Sequence, residues 1–355
     1  MGDDIMVKTL NFESGNVSVY LDSIDKTLDE ITKERYSKIV AVTHDVLLDI
    51  YNLKSIFESK NINIITLPEG EKTKSLAKFI ELSKTFFEHS LDRYSHVIVV
   101  GGGVLGDLCG FLCSVYMRGI SFSLVPTTLL SMVDSSIGGK NGIDLDFGKN
   151  LLGTFYHPKN IIVDLNFLKS LPKREISSGM AEIIKYAILE NSLILEEIRK
   201  GEPDMERLVE LSIDTKSKYV KEDERETTGK RALLNLGHTL GHAIEASTGF
   251  SRFTHGEAVS IGTCFASFFS YYLGHANIKF YEEVKSLFHK YNLPISYPSD
   301  LDVESIKQYI LKDKKNISSQ IRFVIPKNFS QVAVYPTDFP TIKDCLLNWI
   351  EYEKN

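Results

Sequence analysis

At 355 residues, 43% hydrophobic and 25% charged, the chain has an ordinary globular composition and is long enough for two hydrophobic cores. Its net charge is −6, with Lys and Arg spread along the whole length and no basic block, which argues against a nucleic-acid partner. No apolar run reaches membrane-spanning length, and the acidic start MGDDIMVKTLNFESG has no signal core, so a cytoplasmic protein that avoids membranes is expected.

The first half alternates two kinds of signal. Val- and Ile-rich runs at Lys38–Val42, Ile62–Leu67, His96–Val100, Phe122–Val125 and Ile161–Val163 predict strands. Between them, Val46–Glu58, Lys72–Ser90, Val104–Tyr116 and Leu129–Ser135 predict helices. Such alternation implies βαβ units, a mostly parallel Rossmann-like sheet, and ligands gathered at the carboxyl ends of its strands. Four cysteines, Cys109, Cys113, Cys264 and Cys345, show no CxxC pair and no framework spacing; they read as free thiols of a reducing compartment.

Beyond Pro172 the pattern turns helical, at Lys173–Leu189, Glu206–Glu222, Ala232–Ser247, Gly256–Tyr272 and Lys279–Tyr291. Strand signals return only at Arg322–Ile325 and Gln331–Val334. The expected division is an α/β domain over 1–168 and an all-α domain over 169–355.

Three features of the first half suit an anionic nucleotide or phosphate. Val97–Asp107, VIVVGGGVLGD, places Gly101, Gly103 and Gly106 in GxGxxG spacing between a strand and a helix. A turn using glycine only for sharpness would look the same, and the acidic residue expected about twenty positions on for a ribose is absent. Glu69-Gly70-Glu71-Lys72-Thr73-Lys74 follows a strand and opens a helix. Lys140 and Lys149 sit in Gly-, Ser- and Asn-rich surroundings read as flexible, with Arg118 as a further cation; a solvated loop is the plainer alternative.

In the second half, RALLNLGHTLGHAIEASTGFSRFTHGE holds three of the nine histidines. His238 and His242, at i and i+4, share a helix face, with Arg231 and Asn235 expected further back along the same helix. His255 follows across a turn. A lone buried histidine is ordinarily a satisfied core group, but three clustered imidazoles point to a borderline metal or to catalysis. In GMAEIIKYAIL, Glu182 and Lys185 stand at i and i+3 among apolar neighbours, where a charge needs a partner. A carboxylate with two imidazoles leaves a coordination position open, as catalytic sites do.

The runs VPTTLLSMVDSSIGGKNGID, GKNLLGTFYHPK, SGMAEIIKYAIL, DERE, RALLNLGHTLGHAIE and THGEAVSIG, in this order between Glu69 and Gly262, closely resemble the 3-dehydroquinate synthase family of sugar-phosphate cyclases. The resemblance implies a homodimer of two-domain chains, with an α/β NAD-binding half and a helical metal-binding half. It also implies conversion of a phosphosugar, 3-deoxy-D-arabino-heptulosonate 7-phosphate, to 3-dehydroquinate in the shikimate pathway. The expected cofactors are NAD and a divalent metal, Zn or Co.

The family's metal ligands fall on Glu182, His238 and His255, whereas spacing alone would pair His238 with His242; the resemblance turns His242 towards substrate as a proton carrier. Lys185, Lys216, Arg231 and Asn235 match contacts to the substrate carboxylate and hydroxyls, Asp134 matches a hydroxyl contact, and Lys314 completes the site. Lys140, Asn150 and Arg118 match the phosphate pocket, Arg118 reaching across the dimer. NAD contacts carry over to Glu69, Gly70, Glu71, Lys72, Thr73, Lys74, Gly103, Val104, Leu105, Gly106, Asp107, Thr127, Thr128, Lys140, Lys149, Phe167, Leu168, Lys169 and Ser170. The sequence departs from the family at Asn141 (usually Thr), at Ala187 (commonly Gly) and by one extra residue within Glu226–Arg231. A metal-dependent NAD polyol dehydrogenase and another sugar-phosphate cyclase are the rival readings. The phosphate-pocket residues argue against the first, and Lys216 with Arg231 against the second.

Overall fold

A computed structural model describes residues 6–146, 148–190, 192–311 and 320–354. The chain forms two compact units, 1–172 and 173–355.

Unit 1 opens with an antiparallel hairpin, β1 (Met6–Phe12) and β2 (Gly15–Leu21), which the sequence reading missed. Then follow α1 (Ile24–Thr32), β3 (Ile39–Thr43), α2 (Asp45–Ile50), α3 (Leu53–Ser59), β4 (Asn63–Thr66), α4 (Leu76–Glu88), β5 (His96–Gly101), α5 (Gly103–Val115) and β6 (Ser121–Pro126). An antiparallel ribbon, β7 (Lys140–Leu145) and β8 (Gly148–Phe155), precedes β9 (Asn160–Ile162). The sheet order is β1-β2-β9-β6-β5-β3-β4, parallel from β2 to β4. Central β5 is buried along its whole length, as the continuous Val/Ile runs of a two-faced parallel sheet require. From β3 the chain steps outward to β4, then returns to β5 on the other side of β3 and leaves for β6. This reversal beside the carboxyl end of β5 is the switch point at which open α/β sheets bind ligands.

Several expected elements differ in detail. The single helix over Val46–Glu58 is two, because Asn52 takes a left-handed conformation (φ 53°) between α2 and α3. Glu71–Thr73 form a 3-10 turn before α4 starts, with the Ser75 side chain accepting from the Lys78 amide. Ser131–Ser135 make a π-turn rather than an α-helix. The glycine-rich surroundings of Lys140 and Lys149, read as flexible, are the paired β7–β8 ribbon.

Unit 2 comprises α6 (Lys173–Leu189), α7 (Ser192–Arg199), α8 (Met205–Glu222), α9 (His238–Ser247), α10 (His255–Tyr272), α11 (Ile278–Lys290), α12 (Lys307–Leu311) and α13 (Phe339–Tyr352). One hairpin, β10 (Ile321–Asn328) with β11 (Gln331–Thr337), covers the two predicted strands. Helix α10 is buried from Ala258 to Ser270 and packs on α6, α9, α11, α13 and β10, so it is the core of the unit. Its small residues let neighbours approach at backbone distance. A Cβ on Gly262 would lie 1.9 Å from the Gly237 carbonyl oxygen, and one on Gly256 only 2.1 Å from that of Ser178.

Arg231 and Asn235 do not continue the histidine helix. They form a separate 3-10 turn, Arg231–Asn235, because Gly237 adopts φ 80° to press against α10 and α9 begins only at His238. Among the described residues no helix is long and apolar enough to cross a membrane. All four cysteines are free and buried.

Candidate functional site

In unit 1 the candidates around the glycine turn collect at the carboxyl edge of the parallel strands, whereas Arg118 lies three residues before β6, at the opposite, amino edge. The turn after β5 leads straight into α5, whose first turn receives no side-chain cap and so presents unpaired helical amides. A crevice there is lined by Gly101, Gly102, Gly103, Gly106, Asp107 and Ser135. Side chains would close it: a Cβ on Gly103 would stand 3.0 Å from Ser135 Oγ, and one on Gly102 would stand 3.3 Å from Thr128 Cγ2. This bare cradle fits a pyrophosphate. Val104 and Leu105 lie in the same first turn, Leu105 packed inward.

Thr127 joins the turn through its amide to the Gly101 carbonyl (3.1 Å), while Thr128 and Ser131 bond through their hydroxyls (2.8 Å). After β4, Glu69, Gly70, Glu71 and Lys72 are exposed, and Thr73 is buried with its hydroxyl on Pro68 O. Lys74 is buried and reaches Asp107 at 2.5 Å. Burial opposes its charge, but the Asp107, Asp144 and Glu71 carboxylates hold the ammonium above its usual pKa. Lys149 bonds Glu71 (2.6 Å), tying the β7–β8 ribbon to this loop. After β9, Phe167 is buried against the Tyr51 ring, and Leu168, Lys169 and Ser170 follow at the surface or partly covered.

The phosphate-pocket candidates are exposed. Lys140 opens β7, Arg118 (φ 67°) ends a 3-10 turn after α5, and Asn150 (φ 54°) donates its amide to Asp144 Oδ1. Asp134 is half-buried in the π-turn.

Unit 2 assembles the second cluster. Helix α6 carries Glu182 and Lys185 on its buried length, with the Lys185 ammonium against Glu182 Oε2. Glu182 Oε1 faces two imidazoles, 3.7 Å from His238 Nε2 and 3.6 Å from His255 Nε2. Both carboxylate oxygens are sealed from solvent, and neither accepts a well-formed hydrogen bond among the described residues. A buried carboxylate needs partners, and with Lys185 on Oε2 alone, the Oε1 turned to two imidazoles is the informative feature of the site. The set fits a divalent ion. Ligand atoms about 2.0–2.2 Å from a tetrahedral centre lie roughly 3.4 Å apart, and one carboxylate oxygen with two imidazole nitrogens is a donor set that zinc and cobalt accept.

Each candidate histidine is fixed by local structure. His238 starts α9, its Nδ1 on the Leu236 carbonyl (3.0 Å). His255 is the first residue of α10, whose start is closed by a capping box between Thr254 and Glu257. Arg174 at the head of α6 grips Glu257 with two hydrogen bonds (2.7 and 2.6 Å), which clamps the helices carrying Glu182 and His255 together. Burial works against a charge on His255, yet Glu245 and Glu182 outweigh it and lift the imidazole to about 10. His242 is exposed, its ring 5.1 Å from that of His238 and 5.8 Å from that of His255.

Arg231 is buried, its amide on Asp223 Oδ2 (3.1 Å) and its Nη1 on the Glu224 carbonyl (2.7 Å); Asn235 is half-buried and Lys216 is buried on α8. Lys314 lies outside the described residues. Sequence reasoning missed Glu245, 3.4 Å from His255 Nδ1, although its place seven residues after His238 on one helix face was a usable signal. It also missed Asp144, which accepts from Asn150 and donates its amide to the Lys74 carbonyl.

A parallel-sheet unit with a bare glycine cradle, followed by a helical unit with a two-histidine, one-glutamate cluster, defines the dehydroquinate synthase-like fold. Solved structures agree. The chain superimposes with a TM-score of 0.86 on 2-deoxy-scyllo-inosose synthase complexed with carbaglucose-6-phosphate, NAD+ and Co2+ (21% identical, covering 97% of this chain and 100% of that one). It superimposes at 0.82 on 2-epi-5-epi-valiolone synthase from Streptomyces hygroscopicus with NAD+ and Zn2+ bound (20% identical, 99% of each). The models for the 3-dehydroquinate synthase N-terminal and C-terminal regions match residues 64–178 and 179–316, so the chain belongs to the 3-dehydroquinate synthase family. Relatives named 3-dehydroquinate synthase include one from Dictyoglomus turgidum, 41% identical over 85% of this chain and 86% of its own. Another, from Nitratiruptor sp., is 39% identical over 94% and 95%.

Proposed function

We propose that this chain is a 3-dehydroquinate synthase, converting 3-deoxy-D-arabino-heptulosonate 7-phosphate to 3-dehydroquinate and inorganic phosphate, with NAD and one zinc or cobalt ion. The observation that carries the reading is the sealed Glu182 carboxylate whose Oε1 faces two imidazole Nε2 atoms without a formed hydrogen bond. In this conversion the C5 alcohol is oxidised, phosphate is lost by β-elimination, the carbonyl is reduced again, and the opened ring closes by intramolecular aldol addition.

NAD, when bound, accepts a hydride and returns it, and the divalent ion supplies positive charge at the hydroxyl being oxidised. The remaining work falls to this chain's side chains. Glu182, His238 and His255 hold the ion. Lys140, Asn150 and, from the partner of a homodimer, Arg118 hold the phosphate, and their fixed charge favours the departing dianion. Lys185, Lys216, Arg231, Asn235 and Lys314 orient the substrate's carboxylate and hydroxyls, with Asp134 on a further hydroxyl. His242, exposed beside the two ligand histidines, carries a proton to or from the substrate. The amides of Gly103 to Asp107 hold the pyrophosphate; Glu69 to Lys74, Thr127, Thr128, Lys149 and Phe167 to Ser170 hold the rest of the dinucleotide. Four buried thiols suit work in the reducing cytoplasm.

Incubation with the heptulosonate phosphate, NAD and Zn2+ tests the assignment. Phosphate release without net accumulation of NADH is expected. NADH formed in step with turnover and no phosphate release would instead define a polyol dehydrogenase.

A further inference from the structure

The two ligand histidines are held from behind by different acceptors. His238 Nδ1 faces a main-chain carbonyl, Leu236 O, at 3.0 Å, and that contact survives any side-chain substitution. His255 Nδ1 faces the Glu245 carboxylate at 3.4 Å, from one α-helix to the next. Acceptors in both places hold a proton on Nδ1, so it is Nε2 of each ring, on the side of Glu182 Oε1, that gives up any proton and offers its lone pair when a metal binds. A main-chain carbonyl fixes one ring because the 3-10 turn ends at Asn235 and Leu236 immediately precedes the Gly237 break. Among the described residues His255, at the first position of α10, has no such carbonyl bonded to its Nδ1, and its orientation falls to a side chain on α9.

We infer that Glu245 is a positioning residue: it accepts the His255 Nδ1 proton, fixes the ring and its tautomer, and strengthens Nε2 as a donor to the metal. The inference rests on the metal-site reading given above. Carboxylates behind ligand histidines commonly raise metal affinity by about 10- to 100-fold. The same residues allow a competing arrangement, because His242, Glu245 and His255 also bring ligand atoms within 4.8 Å of one another. Two observations favour the positioning role. Glu182 is fully buried with Oε2 against Lys185 and Oε1 turned to both imidazole Nε2 atoms, whereas Glu245 stands on the far nitrogen of His255, and His242 is exposed.

The test is titration of the full chain with cobalt(II) alone, read by chelator competition and by the visible cobalt absorption, for wild type, Glu245→Ala, Glu245→Gln and Glu182→Gln. Glu245→Ala should lose about 10- to 100-fold in affinity and shift the cobalt bands as the His255 ring turns. Glu245→Gln keeps an acceptor oxygen for Nδ1–H, so it should recover the wild-type band positions and most of the affinity. If Glu245→Gln loses cobalt as completely as Glu182→Gln, then Glu245 is a ligand and the inference is wrong. If Glu245→Ala melts earlier but binds cobalt with unchanged affinity and spectrum, its role is merely structural and the inference is again wrong. Failure of the underlying reading looks different: wild type and Glu182→Gln would then bind cobalt equally, or not at all.

Discussion

Gly256→Ala probes whether the metal cluster depends on backbone contact between α10 and α6. An alanine Cβ there would sit 2.1 Å from Ser178 O and 2.5 Å from Ser178 Cα, so α10 must retreat by at least 1.3 Å to regain ordinary van der Waals contact at 3.4 Å. The obstacle is main chain on a helix buried from Ser178 to Leu189, and no rotamer change relieves it. Overpacking of this kind costs about 1–3 kcal/mol, and a backbone clash belongs at the upper end. At roughly 2–4 °C per kcal/mol for a unit of this size, Tm should fall by about 6–12 °C. Metal ligand distances tolerate only about ±0.2 Å. A shift of this size therefore parts His255, the neighbouring residue, from Glu182, and cobalt affinity should drop by more than about 100-fold, beyond the usual effect of outer-shell changes. Differential scanning calorimetry and chelator competition measure the two effects, with Gly201→Ala as control because nothing lies within 4 Å of its Cβ. If Gly256→Ala keeps both the wild-type Tm and the wild-type cobalt affinity, close helix approach does not set the cluster's dimensions.

Three further outcomes are expected. His255→Ala should abolish cobalt binding and turnover while the far-ultraviolet circular dichroism stays native; retained turnover after metal depletion would remove His255 from the ligand set. Lys140→Ala should lower kcat/KM for the phosphorylated substrate by roughly 10- to 150-fold, the equivalent of one charge-assisted hydrogen bond of about 1.5–3 kcal/mol, with NAD affinity little changed; equal losses in both would move Lys140 to the nucleotide pocket. His96 is buried in β5 between the hydroxyls of Ser121 and Ser123, and burial, aided by Lys159, pushes its imidazole down to about 3. Because the unfolded chain protonates near 6.5 and the folded one does not, its contribution is complete above pH 6.5 and is lost as pH falls towards 3. Between pH 7.5 and 5 the loss is about 2 kcal/mol, so urea unfolding of His96→Asn should show a correspondingly smaller acid sensitivity.

The parallel core was legible because strands buried on both faces read as unbroken Val/Ile runs: the run through His96–Val100 and the glycines after it predict β5 and its turn closely. The ribbon was not. Gly142 and Gly153 pair because their missing side chains let the strands close; a Cβ on Gly153 would meet Asn141 O at 2.2 Å. Such pairing depends on absence, which no propensity registers. Asn141 itself is legible only in the fold, where its amide donates to the Gly139 and Tyr156 carbonyls and its side chain presses on Gly110. The helix break at Gly237 escaped for a similar reason, since Ala232–Ser247 is periodic throughout and only contact with Thr263 on α10 forces the left-handed turn. Spacing alone paired His238 with His242, whereas the structure turns His255 towards Glu182. The Glu182 carboxylate was visible as a charge in an apolar run, but the two imidazoles facing its Oε1 were not.

Where two helices touch through glycine, as α9 and α10 do at Gly237 and Gly262, their separation is a dimension of the polypeptide itself and not of the residues filling the space around it. Apolar substitutions elsewhere in the helical unit can therefore accumulate and repack without retuning the spacing of His238 and His255. The two glycines thereby act as a ruler: a Cβ at either would wedge the helices apart and carry His238 and His255 with them.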